Sequence, residues 1–114
     1  MPLDDPRQVR SLNDAFDLTT PEAQLWELHL IWRAISEGLV RFDDHGDQAR
    51  LDESIVRDDV LRVVIGGTPR SKHMDRSGHR QPGINFEGKV TGGRTVRVKV
   101  SWFLGYVVVT VHTV

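Results

Sequence analysis

Glu87, Arg97 and His112 are the residues of this chain whose types together could rearrange a phosphodiester. A carboxylate removes a proton, a guanidinium supplies a charge that does not titrate, and an imidazole changes protonation near neutrality. Cleavage of RNA by its own 2′-hydroxyl needs those three roles: proton removal, charge stabilisation at phosphorus and protonation of the leaving oxygen. It needs no metal and no other cofactor. Lys99, two residues beyond Arg97, adds a second cation with the same strand parity.

Residues this far apart in sequence meet only if strands bring them together. From Ile84 onward the hydrophobic period is two: Ile84, Phe86 and Val90 alternate with Asn85, Glu87 and Lys89, and Val96, Val98, Val100 and Trp102 alternate with Thr95, Arg97, Lys99 and Ser101. A last strand, YVVVTVHTV, follows Leu104-Gly105, giving three antiparallel strands that a fourth within residues 69–76 could join. One face must be apolar throughout, and a slip of one residue would invert it. A two-residue turn at Leu104-Gly105 therefore pairs Phe103 with Tyr106, Lys99 with Thr110 and Arg97 with His112. A three-residue loop at Thr91-Gly92-Gly93, glycine-rich as such loops require, pairs Phe86 with Val98 and puts Glu87 beside Arg97. Glu87, Arg97 and His112 then form one row, with Asn85, Lys99 and Thr110 in the next. A solvated sheet face that merely displays cross-strand charge pairs, at about 0.2–1 kcal/mol each, explains the same pattern.

The segment from Gly66 to Gly83 lies before these strands and is rich in Arg, Lys and His. Read as a loop, it could let Arg70, Lys72, His73, Arg76, His79 and Arg80 reach the phosphates of an RNA laid on the polar face, and each contact would make binding salt-sensitive. A solvated loop without a ligand is the competing reading. Metal sites are poorly supported. Asp43, Asp44, His45 and Asp47 lack the spacing of a calcium loop, and His73 and His79 are not the i, i+4 pair of a helical zinc site. Gly66-Gly67-Thr68 lacks the lysine of a P-loop.

The elements that carry this sheet come first in the chain. At 114 residues and 39% hydrophobic content, the sequence specifies one domain, 1–114. Cysteine is absent, which fits a reducing cytoplasm, and no apolar run approaches the ~20 residues that span a bilayer, so no membrane partner is expected. Charge is divided: residues 1–59 hold six Arg and fourteen acids, a balance of −8, whereas residues 60–114 hold nine Lys or Arg and two acids, a balance of +7. A basic half attracts polyanions, or the two halves simply attract each other. Residues 1–19 read as an irregular arm. Thr20-Pro21-Glu22 signals a helix start, and Leu25, Leu28, Trp32, Ile35 and Leu39 keep helical spacing, so a helix is expected over 20–40 with Gly38 near its end. A short polar helix follows from Asp43, and a third opens at Asp58 or Asp59 with Val60, Leu61, Val64 and Ile65 as its apolar face, a short strand being the alternative there.

HGDQAR (45–50), SIVRDDV (54–60), Gly66-Gly67, GRTVRVKV (93–100) and VVVTVHTV (107–114) together resemble a small bacterial family of unknown function that is similar to the RelE and barnase-like ribonuclease toxins. The resemblance spans about residues 45–114. It implies an α+β fold in which N-terminal helices pack on one face of a three- to four-stranded antiparallel sheet, with chemistry on the other. It also implies a cytoplasmic, toxin-type endoribonuclease acting on RNA and held by an antitoxin protein, and it adds His45 and Arg50 to the candidate catalytic residues. Arg97 stands where that pattern has a histidine, and His112 where it has an aromatic residue, so the site is rearranged. The helix at 20–40 lies outside the match and would be a lid, a homodimer contact or a partner-binding element, leaving 43–114 as the toxin-like core. Two other functions fit the sequence: a non-catalytic protein-interaction module of the same fold, using the acidic helices and Trp26, and an antitoxin or immunity protein.

Overall fold

A computed structural model describes residues 4–52, 54–73 and 82–113, with backbone alone at residues 45, 46, 49, 52, 70, 71, 73, 112 and 113. The fold is α+β. Five strands, β1 (Val40–Phe42), β2 (Thr68–His73), β3 (Gly83–Lys89), β4 (Thr95–Phe103) and β5 (Tyr106–Thr113), form one sheet in the order β1-β5-β4-β3-β2. The helices are a short α1 (Leu12–Ala15), α2 (Leu25–Ser36), α3 (Asp44–Asp52) and α4 (Arg57–Gly66). Among the described residues, no helix is long and apolar enough to cross a membrane.

The three C-terminal strands pair in the expected register. Glu87 lies opposite Arg97, Asn85 opposite Lys99, Arg97 opposite His112, Lys99 opposite Thr110, and Phe103 opposite Tyr106. Apolar alternation forces this choice, because Ile84, Phe86, Val96, Val98, Val100, Val107, Val109 and Val111 all become buried. The first hairpin closes as its glycines require: Gly92 and Gly93 have φ of 96° and 83°, and the Gly93 N–H donates to the Val90 carbonyl at 3.0 Å.

The sheet is mixed, not antiparallel throughout, because β1 runs parallel to β5. Residues 40–42 were expected at or just beyond the end of a helix. That helix in fact ends at Ser36, where Gly38 takes a left-handed φ of 75° and the Leu39 N–H closes the end onto the Ala34 carbonyl at 2.8 Å. Turned out of the helix, Val40 and Phe42 add to the apolar face beside β5, and the Leu39 carbonyl accepts from the Val107 N–H at 2.9 Å.

The start of α2 also differs from the Thr20-Pro21 signal. The helix begins after Gln24, because Glu27 folds back to accept the Gln24 N–H at 2.5 Å and the Asp17 N–H at 2.8 Å, capping the helix from within its own first turn. The Pro21 carbonyl instead accepts the Lys72 N–H of β2 at 2.7 Å. The N-terminal segment, expected to be irregular or partly ordered, joins the core. Val9, Ala15 and Phe16 are buried in the same core as Leu28, Leu30 and Ile31 of α2 and Val60, Val63 and Val64 of α4. Residues 57–66 form a helix rather than the alternative strand, and Val63 takes the buried place expected of Ile65, which is exposed. Gly67 lets α4 end tightly against β3: an added Cβ would lie 2.2 Å from the Val63 carbonyl oxygen and 2.9 Å from that of Glu87.

One residue of the β4–β5 turn is strained. Leu104 has φ 47° ahead of Gly105 at φ 83°, a pair of left-handed residues for which Asn-Gly is the preferred sequence. A left-handed conformation costs an L side chain with a Cβ roughly 1–2 kcal/mol. Leu104 is exposed and lines a cavity of about 220 Å³ with Val9, Leu12 and Trp102. Leu104→Asn is expected to raise the melting temperature by about 4–6 °C, the equivalent of ~1 kcal/mol in a domain of this size. A fall on thermal unfolding would show that the apolar contacts of Leu104 outweigh its backbone strain.

Candidate active site on the polar face of the sheet

Cross-strand pairing puts Asn85, Glu87 and Lys89 of β3, Thr95, Arg97, Lys99 and Phe103 of β4, and Tyr106, Val108 and Thr110 of β5 on one face. Helix α4 packs on the opposite face, where a Cβ on Gly88 would lie 3.3 Å from Val63 Cγ1. In the row Glu87–Arg97–His112, an Arg97 guanidinium N–H donates to Glu87 Oε1 at 3.4 Å, with the arginine side chain half exposed. An exposed pair at that distance contributes ~0–1 kcal/mol, so the fold does not depend on it. His112 occupies the next place in the row through its backbone register. Two strand spacings separate the ends, about 10 Å, which is room for one phosphodiester between an acid and a base. Lys99, partly buried, lies one row along, between Asn85 and Thr110.

Two cations expected at the site are placed elsewhere. Lys72 is on β2, paired opposite Ile84, and its ammonium is buried: Nζ lies 2.8 Å from Glu27 Oε2 and donates to the Asp17 carbonyl at 2.5 Å. Strand alternation turns it toward the core, against Glu27, so it does not lie on the polar face of the sheet. Arg50 is likewise buried, with Nε donating to Asp47 Oδ1 and Nη1 to the Ile55 carbonyl, both at 2.8 Å. It ties α3 to the segment that leads into α4.

Arg57 completes that tie, with its Nη2 2.8 Å from Asp47 Oδ2. Hydrogen bonds from Arg57 and then Arg50 lower the Asp47 carboxyl from 3.8 to about 2. A carboxyl lowered in the folded state stabilises it above its unfolded value and loses that effect as pH falls through its folded value. Stability should therefore drop as pH goes from 3.8 to about 2. Asp47→Asn should flatten that part of a melting-temperature profile, and an unchanged slope would assign the acid sensitivity to other carboxyls.

The remaining candidates are located by backbone or lie outside the described residues. His45 is in the first turn of α3; Arg70 and His73 belong to β2, the edge strand that takes the place expected for a fourth strand within 69–76; Arg76, His79 and Arg80 lie outside the described residues. Among the described residues, no group of three or more His, Asp or Glu is placed to hold a metal ion.

One group on this face was missed. Arg41 of β1 holds its guanidinium carbon 4.4 Å from the centroid of the Tyr106 ring. Tyr106 and its partner Phe103 were in the expected register, but Arg41 counted as the residue after a helix, so nothing placed it on the sheet. Its neighbours were the available signal: Val40 and Phe42, alternating about a polar residue after Gly38, have the pattern of a short strand.

No protein-family model matches this sequence, and neither a curated protein nor a solved structure matches it. The functional reading therefore rests on the residues and their geometry.

Proposed function

We propose that the protein is a small, metal-independent ribonuclease of toxin type. The observation that carries this reading is the single row Glu87–Arg97–His112 across three adjacent strands. In the reaction, ionised Glu87 takes the proton of a 2′-hydroxyl, and the freed oxygen forms a bond to the adjacent phosphorus. The P–O5′ bond breaks, and protonated His112 delivers its proton to the departing 5′-oxygen. The products are a 2′,3′-cyclic phosphate and a 5′-hydroxyl. Arg97, between base and acid, and Lys99 stabilise the extra charge on the phosphorane. Arg70, His73, Arg76 and Arg80 would hold neighbouring phosphates, and a cytoplasmic antitoxin would cover the site. The RelE/barnase-like resemblance points the same way.

The test is incubation of the purified protein with a 5′-labelled RNA in excess EDTA, alongside induction of the protein alone in a bacterial host. Cyclic-phosphate-ended fragments and arrested growth are expected. Intact RNA over a range of substrates would remove the nuclease reading and favour a non-catalytic interaction module. That second reading draws support from exposed Leu25, Leu51 and Ile65 on the helices and Val56 just before α4, the first of which lies in the segment considered for a homodimer.

A further inference from the structure

We infer that Phe103, Arg41 and Tyr106 form a base-stacking platform at one end of the polar face, and that the ligand of this face is single-stranded RNA. The inference rests on the nuclease reading for the nature of the ligand. Phe103 is 58% exposed on a face that is otherwise mostly polar, directly across from Tyr106. Beside them the guanidinium carbon of the exposed Arg41 lies 4.4 Å from the centroid of the Tyr106 ring. Phenyl rings and guanidinium planes are the surfaces on which unpaired bases stack, and stacking accepts any base because every base has a π-face.

Charge on the same face selects the occupant. Arg41, Lys89, Arg97 and Lys99 share it with Glu87. Lys99 and Phe103 lie on the same strand four residues apart, about 13 Å, a span of a few nucleotides of extended chain. A strand laid along β4 would place a phosphate at Lys99 and Arg97 while its bases further along rest on Phe103 and Arg41. A duplex cannot do this, because its bases are already stacked and paired.

The test is fluorescence anisotropy with a labelled, uncleavable 2′-O-methyl oligoribonucleotide, an abasic strand of the same length and a duplex of the same sequence. Phe103→Leu keeps apolar bulk without an aromatic face, and Arg41→Lys keeps charge without a planar one, so neither should disturb the fold. Each is expected to weaken binding of the base-bearing strand roughly 10- to 100-fold while leaving the abasic strand unaffected. Parent-like binding by both variants, or equal affinity of the parent for abasic and base-bearing strands, would overturn the platform while leaving cleavage to stand. Base-dependent binding without cleavage would keep the platform and remove the nuclease. Absence of any RNA binding by the parent would overturn both.

Discussion

Lys72→Ala is expected to lower stability by about 3–5 kcal/mol, because it leaves the Glu27 carboxylate buried without its cation. Both side chains are almost fully shielded from solvent, at 1% and 0% exposure, and their nitrogen and oxygen lie 2.8 Å apart. A domain has roughly 5–15 kcal/mol to lose, so the variant should be largely unfolded at modest temperature, as read by circular dichroism and urea titration. Glu27 does more than neutralise Lys72. Its two oxygens also accept the Gln24 and Asp17 N–H groups, and Lys72 donates to the Asp17 carbonyl. The network thus ties the N-terminal segment, α2 and β2 together. The double variant Glu27→Gln, Lys72→Met should recover part of the loss relative to Lys72→Met alone, since an amide oxygen can still accept an N–H bond while no charge is left unpaired. If Lys72→Ala melts like the parent, the buried pair is not what holds these segments. Any loss of RNA binding in Lys72→Ala must be read against this unfolding, since the ammonium does not face the proposed ligand.

Arg97→Ala and His112→Ala are expected to reduce RNA cleavage by 10²–10⁴-fold each, with melting temperatures close to that of the parent. The contrast with Lys72 follows from burial. The Arg97–Glu87 contact is 3.4 Å long and half exposed, so little stability depends on it. The two roles separate by substrate. An RNA whose leaving oxygen is replaced by sulfur departs without protonation, so it should restore most of the rate to His112→Ala and little to Arg97→Ala. Full cleavage of ordinary RNA by either variant would remove the catalytic row.

Much of the sheet was legible because hydrophobic alternation admits one register. Phe86 opposite Val98 and Val100 opposite Val109 follow from keeping one face apolar, and with them come Glu87 opposite Arg97 and Arg97 opposite His112. What was not legible depends on partners distant in sequence. The spacing of Gln24 and Glu27 is local, but nothing local marks Glu27 as the counter-ion of Lys72 or the acceptor for the Asp17 N–H. Without that anchor, Thr20-Pro21 was the stronger start signal and the basic run around Lys72 had the composition of a solvated loop. The burial of Arg50 was hidden for a related reason: nothing in the sequence shows Asp47 and the Ile55 carbonyl closing around its guanidinium. The parallel β1 was hidden by its length, three residues following a helix.

That short strand governs the order in which the molecule can assemble. Residues 40–42 find their hydrogen-bonding neighbour only in residues 107–109, which are made more than sixty positions later. During synthesis the helical half must wait, its apolar surface without the sheet that covers it, until β5 emerges and slots between β1 and β4. A chain interrupted before that point would have an unfinished sheet and no strand opposite Arg97 on the β5 side. The row that joins Glu87, Arg97 and His112 therefore cannot assemble until nearly the whole of this sequence has been translated.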